Sequence, residues 1–372
     1  MALSDTSFSE ENSAPPGSSR WMLAIWLCMA MVVVFSLVLS QSLALYHGSV
    51  SSRFDGQQFT PAGHNSRPSL MQMLRWQAQR SPGSWPERLT LARRSVPPLR
   101  FDKDGIRVTL IGHSSVLIQV AGLNLITDPV LDDQVSLLGG VLKVDAVTAP
   151  GVAFDDLPPI DLVLISHDHA DHLDKDSLLR LWRRDQPLIL TPLGVDTRLR
   201  RWQADINALA LDWWEHHLLE KTEKQPELRL TLVPARHWSG RGVFDHNRSL
   251  WGGWIIESTE GTVYFAGDTG YAPALMQQLA ARFSPIRLAL LPIGGYQPEW
   301  LMEHQNLSPA QAVAHHFQLG ATRSMAMHYG RFALTDEPFL DPVEQLKRAR
   351  REAGLAPEQF LIQPPGRPLQ LD

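Results

Sequence analysis

The stretch Ile160–Asp174, IDLVLISHDHADHLD, runs out of an apolar strand into three histidines and three aspartates. The run from Leu162 to Ile165 reads as a strand buried on both faces. In an extended chain His167 and His169 project to one side, and a turn after them brings Asp171 and His172 back toward the same point. Imidazoles and carboxylates at this density repel or desolvate one another unless a cation sits among them. Imidazole and carboxylate without thiolate suit Zn²⁺, with Fe and Mn as alternatives, and a catalytic site keeps one position for water.

Three other strands deliver the same residue types at their C-terminal ends. His237 follows LRLTLVPAR, Asp268 follows TVYFAG, and His328 closes SMAMH. Loops from several strand ends gather into ligand sites in α/β proteins. The set His167, His169, Asp171, His172, His237, Asp268 and His328 suffices for two metals with one shared aspartate.

The pattern around these residues is α/β. IRVTLIGH, SVLIQV and LNLITDP, separated by Gly-containing turns, read as a β-meander. Further strands are IDLVLIS, PLILTP, LRLTLVPA, LWGGWIIE, GTVYFAGD, LALLPIG and RSMAMHYG. Helices are expected over 176–184, 194–202, 272–282, 309–319 and 342–354. Two groups of strands with helices between them predict two packed sheets covered by helices outside, an αββα four-layer sandwich.

The chain has 372 residues, a net charge of −5 and a single cysteine, Cys28. This charge argues against nucleic acid as a partner, and one cysteine excludes an intrachain disulfide or a Cys-based metal site. Residues 1–20, rich in Ser and Pro, read as a disordered tail. Residues 21–46, WMLAIWLCMAMVVVFSLVLSQSLALY, carry no charge and read as a single-pass transmembrane anchor, with a cleaved signal peptide as the competing reading. Arg20 before the run and Arg53 and Arg67 after it leave open which side of the membrane carries the domain. Residues 47–100 read as a linker and packing segment. It has one helix-like piece, SLMQMLRWQAQR, and arginines (Arg75, Arg80, Arg88, Arg93, Arg94, Arg100) that suit either anionic lipid or solvent. Residues 101–372 are expected to form one large catalytic domain, and a homo-oligomer is compatible with all of this.

The motifs TLIGHSSVLIQ, LITDPV, LPPIDLVLISHDHADHLD, LDWWE, HWSGR, LWGGWII, YFAGDTGY, IGGYQPEW and SMAMHYGRFAL occur in that order. The series resembles the metallo-β-lactamase superfamily and, within it, the phospholipase D enzymes that hydrolyse N-acyl-phosphatidylethanolamine. The resemblance implies one metal on His167, His169 and His237, a second on Asp171, His172 and His328, and Asp268 between them. It also implies two Zn²⁺ per chain, a phospholipid substrate and a phospholipase D-type phosphodiesterase working through a hydroxide between the metals. Asp171 is then the catalytic carboxylate, and Tyr296, Trp300 and Gln305 lie toward substrate. Two departures stand out. Gln305-Asn306 replaces a Gln-His pair, and Ala170 replaces an aromatic residue, which predicts a wider mouth. A lactonase or small phosphoester hydrolase, and a di-iron oxidoreductase, are the alternatives the same ligands allow.

Other polar residues have plainer readings. His113 is expected to hold a turn or support the site, Asp168 to face away from the ligands, and Asp128 to cap a turn or act behind a ligand. Asp174 is expected to cap the following helix, and His216, His217, His315 and His316 to lie in helices or loops without a role. Trp213, Trp214, Trp251 and Trp254 are expected between layers.

Overall fold

The computed structural model describes residues 18–42, 45–61, 68–90, 96–101, 104–220, 227–242 and 245–372. Most of the expected tail, together with Arg67, Arg93 and Arg94, lies outside them. The chain divides into two compact units, Met1–Leu43 and Ala44–Asp372.

The first unit contributes α1 (Ser18–Ser42), whose side chains are described over 21–35 and are exposed there. Among the described residues no helix is long and apolar enough to cross a membrane, so the transmembrane helix expected over 21–46 is without support. Its far boundary also changes. The helix ends at Ser42, whereas Leu45 is buried in the second unit. The Tyr46 ring packs on Phe54 and Phe59 with centroids 4.9 and 5.2 Å away.

Where it is described, the segment expected as a linker and packing segment packs on the domain. Phe54 and Phe59 join its main core. Helix α2 (Leu70–Gln79) is held by a capping box between Ser69 and Gln72. The arginines there have partners in the domain. Arg80 pairs with Asp336, Arg88 with Asp133, and Arg100 meets both oxygens of Asp161 at 2.6 and 3.0 Å.

Strands β1 (Ile106–Gly112), β2 (Ser115–Val120) and β3 (Leu123–Thr127) form the expected meander. Its second turn, Ala121-Gly122, has φ of 56° and 72°, the paired positive values that suit the twist of a two-residue hairpin. The short hairpin of β4 (Gln134–Leu137) and β5 (Leu142–Asp145) stands apart. The chain then alternates: β6 (Leu162–Leu164), α3 (Lys175–Asp185), β7 (Leu188–Pro192), α4 (Val195–Trp202), β8 (Ala208–Leu211). Asp174 caps α3 as expected, accepting from the Ser177 amide at 2.8 Å. The remaining elements are β9 (His216–Leu219), β10 (Leu228–Val233), β11 (Gly253–Ser258), β12 (Gly261–Phe265), α5 (Pro273–Phe283), β13 (Ile286–Pro292), α6 (Glu299–Met302), α7 (Pro309–Leu319), β14 (Arg323–Met327), α8 (Asp341–Glu352), β15 (Phe360–Leu361) and β16 (Pro368–Leu371). His216 and His217 thus lie in a strand rather than a helix or loop.

Two seven-stranded sheets result, in the orders β16-β1-β2-β3-β6-β7-β8 and β15-β14-β13-β12-β11-β10-β9. Alternation along β2 sets the layers. Val116 and Ile118 join the core between the sheets, while Leu117 joins the cluster shared with Leu178, Leu181, Val195 and Leu199 of α3 and α4. Met276, Leu279, Val313 and Leu346 place α5, α7 and α8 in the core with the second sheet. The four-layer α/β sandwich is therefore present. Trp213, Trp251 and Trp254 are buried as expected, and Trp214 is half-buried.

His315 on α7 shows the cost of a buried imidazole. Its Nε2 accepts from the Ala272 amide at 3.1 Å and its ring stacks on Tyr271. Burial lowers its pKa from the ordinary histidine value to about 3. The unfolded chain binds this proton below pH 6.5 and the folded chain does not, so stability is lost as pH falls from 6.5 toward 3. Urea unfolding should show a shallower pH slope for His315→Gln across that window, and an unchanged slope would contradict this assignment.

Candidate metal centre

The seven nominated side chains converge at the C-terminal ends of β6, β10, β12 and β14. The ligand atoms of His167, His169 and His237 lie within 4.8 Å of one another, as do those of Asp171, His172, His328 and His113. Asp268 spans the two groups. Its Oδ2 is 3.3 Å from His172 Nε2 and 3.8 Å from His237 Nε2, and its Oδ1 is 3.3 Å from His328 Nε2. Asp171 Oδ2 lies 3.6 Å from Nε2 of both His172 and His328.

The donor set fits a pair of cations. His167 Nε2, His172 Nε2, His328 Nε2 and Asp268 Oδ1 are all buried without a hydrogen-bond partner, and His169 turns its Nδ1 to within 3.2 Å of His237 Nε2. Leaving a buried polar atom unsatisfied costs about 1–3 kcal/mol, and four at one centre call for a shared positive charge.

Residues behind the ligands fix which imidazole nitrogen faces inward. The Asp128 carboxylate accepts from the Ser166 amide at 2.7 Å and from its hydroxyl at 2.5 Å, and meets His172 Nδ1 at 2.7 Å. The Ser166 hydroxyl also lies 2.8 Å from His167 Nδ1, and His237 Nδ1 donates to the Gln305 carbonyl at 2.8 Å. In each case Nε2 is left for the centre. Asp128 itself is spent on these bonds.

Electrostatics divides the site. Burial drives His167 well below the ordinary histidine value, His169 to about 4 and His237 to about 3, so these rings are neutral and ready as ligands. Burial alone would lower His172 and His328 as well, but Asp268 and Asp171 outweigh it, raising His172 well above its usual value and His328 to about 9. The same facing imidazoles overcome burial at Asp171 and Asp268 and hold both carboxyls well below the usual range. The negative charge that favours a proton on His172 and His328 is the charge that would favour a metal there, and a metal would have to displace such protons.

Asp168 faces away from the ligands, as expected, but into a buried ion pair. Arg198 Nη2 lies 2.9 Å from both Asp168 and Asp245, and the Gly240 amide donates to Asp168 at 2.7 Å. Arg241 adds donation to the Asp168 carbonyl at 3.2 Å. This network ties the ligand loop to Gly240, Arg241 and Asp245, and no spacing rule in the sequence links those positions.

Two of the three residues expected toward substrate have side chains engaged in hydrogen bonds within the protein. Tyr296 is buried and its hydroxyl donates to Asp341. The Gln305 side chain accepts from Trp238 Nε1 at 2.5 Å. Trp300 is 38% exposed, with the Arg75 guanidinium 4.8 Å from its ring centre. Asn306 donates to the Gly295 carbonyl at 2.6 Å. Ala170 is buried beside the ligands.

A family profile described as a beta-lactamase superfamily domain matches residues 123–329. The chain is 36% identical over 254 residues to an uncharacterized protein of Mycobacterium tuberculosis, a match covering 67% of this chain and 65% of that protein's length. It is 32% identical over 255 residues to the N-acyl-phosphatidylethanolamine-hydrolyzing phospholipase D 1 of Caenorhabditis elegans, covering 66% of this chain and 70% of the relative. Among solved structures it is similar to Igni18, a metallo hydrolase from Ignicoccus hospitalis. There the TM-score is 0.52 and the identity 25%, over 72% of this chain and 98% of the other. With its paired clusters bridged by Asp268, the chain belongs to the metallo-β-lactamase superfamily of metal-dependent hydrolases and is similar to the N-acyl-phosphatidylethanolamine-hydrolysing phospholipases D.

Proposed function

We propose that this chain is a phosphodiesterase of the phospholipase D type, acting on N-acyl-phosphatidylethanolamine or a close relative. The observation that carries the reading is Asp268 spanning two ligand clusters, joined to the likeness to the nematode phospholipase. Zn²⁺ is the cation the donor set suits best, and a bound pair would supply Lewis-acid polarisation and a nucleophile at neutral pH. The protein's part is to hold the charge. His167, His169 and His237 present neutral rings, and Asp268 keeps both clusters at one spacing. Asp171, ionised despite burial, is the base that takes or orients a proton.

We further propose that the protein works at a lipid surface, on the strength of the uncharged run that follows Arg20. Sedimentation of the full chain with phospholipid vesicles tests this, and a chain left in the supernatant would remove it.

Mass spectrometry of products from a mixed phospholipid extract tests the reaction. Phosphatidic acid with N-acylethanolamines should accumulate with the zinc-loaded chain and fall at least 100-fold, as an order of magnitude, with His169→Ala or Asp171→Asn. Untouched lipids beside a chain holding two metals would move the substrate to lactones or small phosphodiesters.

A further inference from the structure

Two residues facing each other in the second cluster hold backbone angles that side-chain-bearing residues avoid. φ is 54° at His113 and 60° at His328. The pair is locked. The His328 amide donates to the His113 carbonyl at 2.8 Å, the two rings lie 3.9 Å apart between centroids, and Phe332 closes the other side of His113 at 5.4 Å. Strained backbone persists only where its surroundings enforce it, and it gathers at functional sites.

The arrangement aims His113 at one atom. Its Nε2 is 3.0 Å from Asp171 Oδ2, the same oxygen that lies 3.6 Å from His172 Nε2 and His328 Nε2. The ring is 3% exposed, so water does not substitute for it. A carboxylate turns readily about its terminal bond, and a donated hydrogen bond to one oxygen fixes that rotation. The first cluster is built differently. His167 leans on Ser166 and His237 on a backbone carbonyl, with no carboxylate among its three side chains.

We infer that His113 is a positioning residue for Asp171, and that through it the second metal position depends on His113 while the first does not. The inference rests on reading the cluster as a metal pair and is independent of the lipid substrate.

The test is zinc binding to the full chain, by elemental analysis after equilibrium dialysis and by the absorption spectrum of the cobalt(II)-substituted protein. Three variants are compared with wild type. His113→Phe keeps a ring against His328 and Phe332 but removes the donor, His113→Gln keeps an amide donor within reach of Asp171, and His113→Asn has an amide too short to reach. The first equivalent should bind within about threefold of wild type in all three. The second should weaken by roughly 10–100-fold in His113→Phe and His113→Asn and recover most of that loss in His113→Gln.

Equal loss of both equivalents, no loss of either, or a His113→Gln variant as defective as the other two would overturn the inference. The last outcome would make the imidazole itself a ligand. A wild-type chain that binds fewer than two metals removes the metal-pair reading and this inference with it. Two metals bound without release of phosphatidic acid removes only the substrate reading.

Discussion

Asp268→Asn is expected to abolish turnover of a chromogenic phosphodiester, by roughly 10³-fold or more in kcat/KM, with the fold intact. Asparagine keeps the volume and one carbonyl oxygen but removes the negative charge. That charge lies 3.3 Å from the inward nitrogens of both His172 and His328 and 3.8 Å from that of His237. It faces imidazoles of both ligand groups, so its loss should weaken metal at both positions. It should also lower the proton affinities of His172 and His328, both of which Asp268 raises. Steady-state kinetics with elemental analysis of the same sample checks this. A variant within tenfold of wild type with two metals bound would sink the bridging role.

The second large effect is on stability. Trp254 is fully buried on β11, and its indole Nε1 donates across the sandwich to the Ile165 carbonyl at 2.9 Å. Ile165 stands at the end of β6, immediately before Ser166 and His167. Trp254→Ala should cost about 3–5 kcal/mol for the cavity, with about 1 kcal/mol more for the orphaned carbonyl. Trp254→Phe keeps most of the volume, and its loss should stay near the hydrogen-bond contribution of about 1 kcal/mol. Urea unfolding separates the two. Equal destabilisation by both substitutions would show that packing is not what Trp254 contributes.

The legible parts of the sequence share one physical property, in that a local pattern carried them. The ligand set stood out because each polar residue directly follows an apolar strand. The helix over Pro309–Leu319 was readable because Ser308, Pro309 and Gly320 mark both ends. What stayed hidden depends on distant partners. β9 is a four-residue edge strand, with His216 exposed at its start, and only its pairing with β10 makes it one. β15 and β16 are two and four residues long and are likewise defined by neighbours far away in sequence. Asp168, Arg198 and Asp245 lie far apart along the chain and meet only after folding. His113 was legible too, since it ends β1 as the ligands end theirs, and the expected supporting role agrees with its contact to Asp171. Which ligand it supports is set by a partner 58 residues away.

The pairing of β16 with β1, Ile106 opposite Leu371 through Thr109 opposite Pro368, also bears on how the protein is made. During synthesis β1 is followed directly by its partner β2, but the partner for its other edge comes only after more than two hundred further residues have been translated. Over that interval a row of unpaired backbone groups is open to any neighbouring strand, and its closure is among the most sequence-distant contacts in the domain. On the ribosome, the first sheet is therefore the last to be sealed.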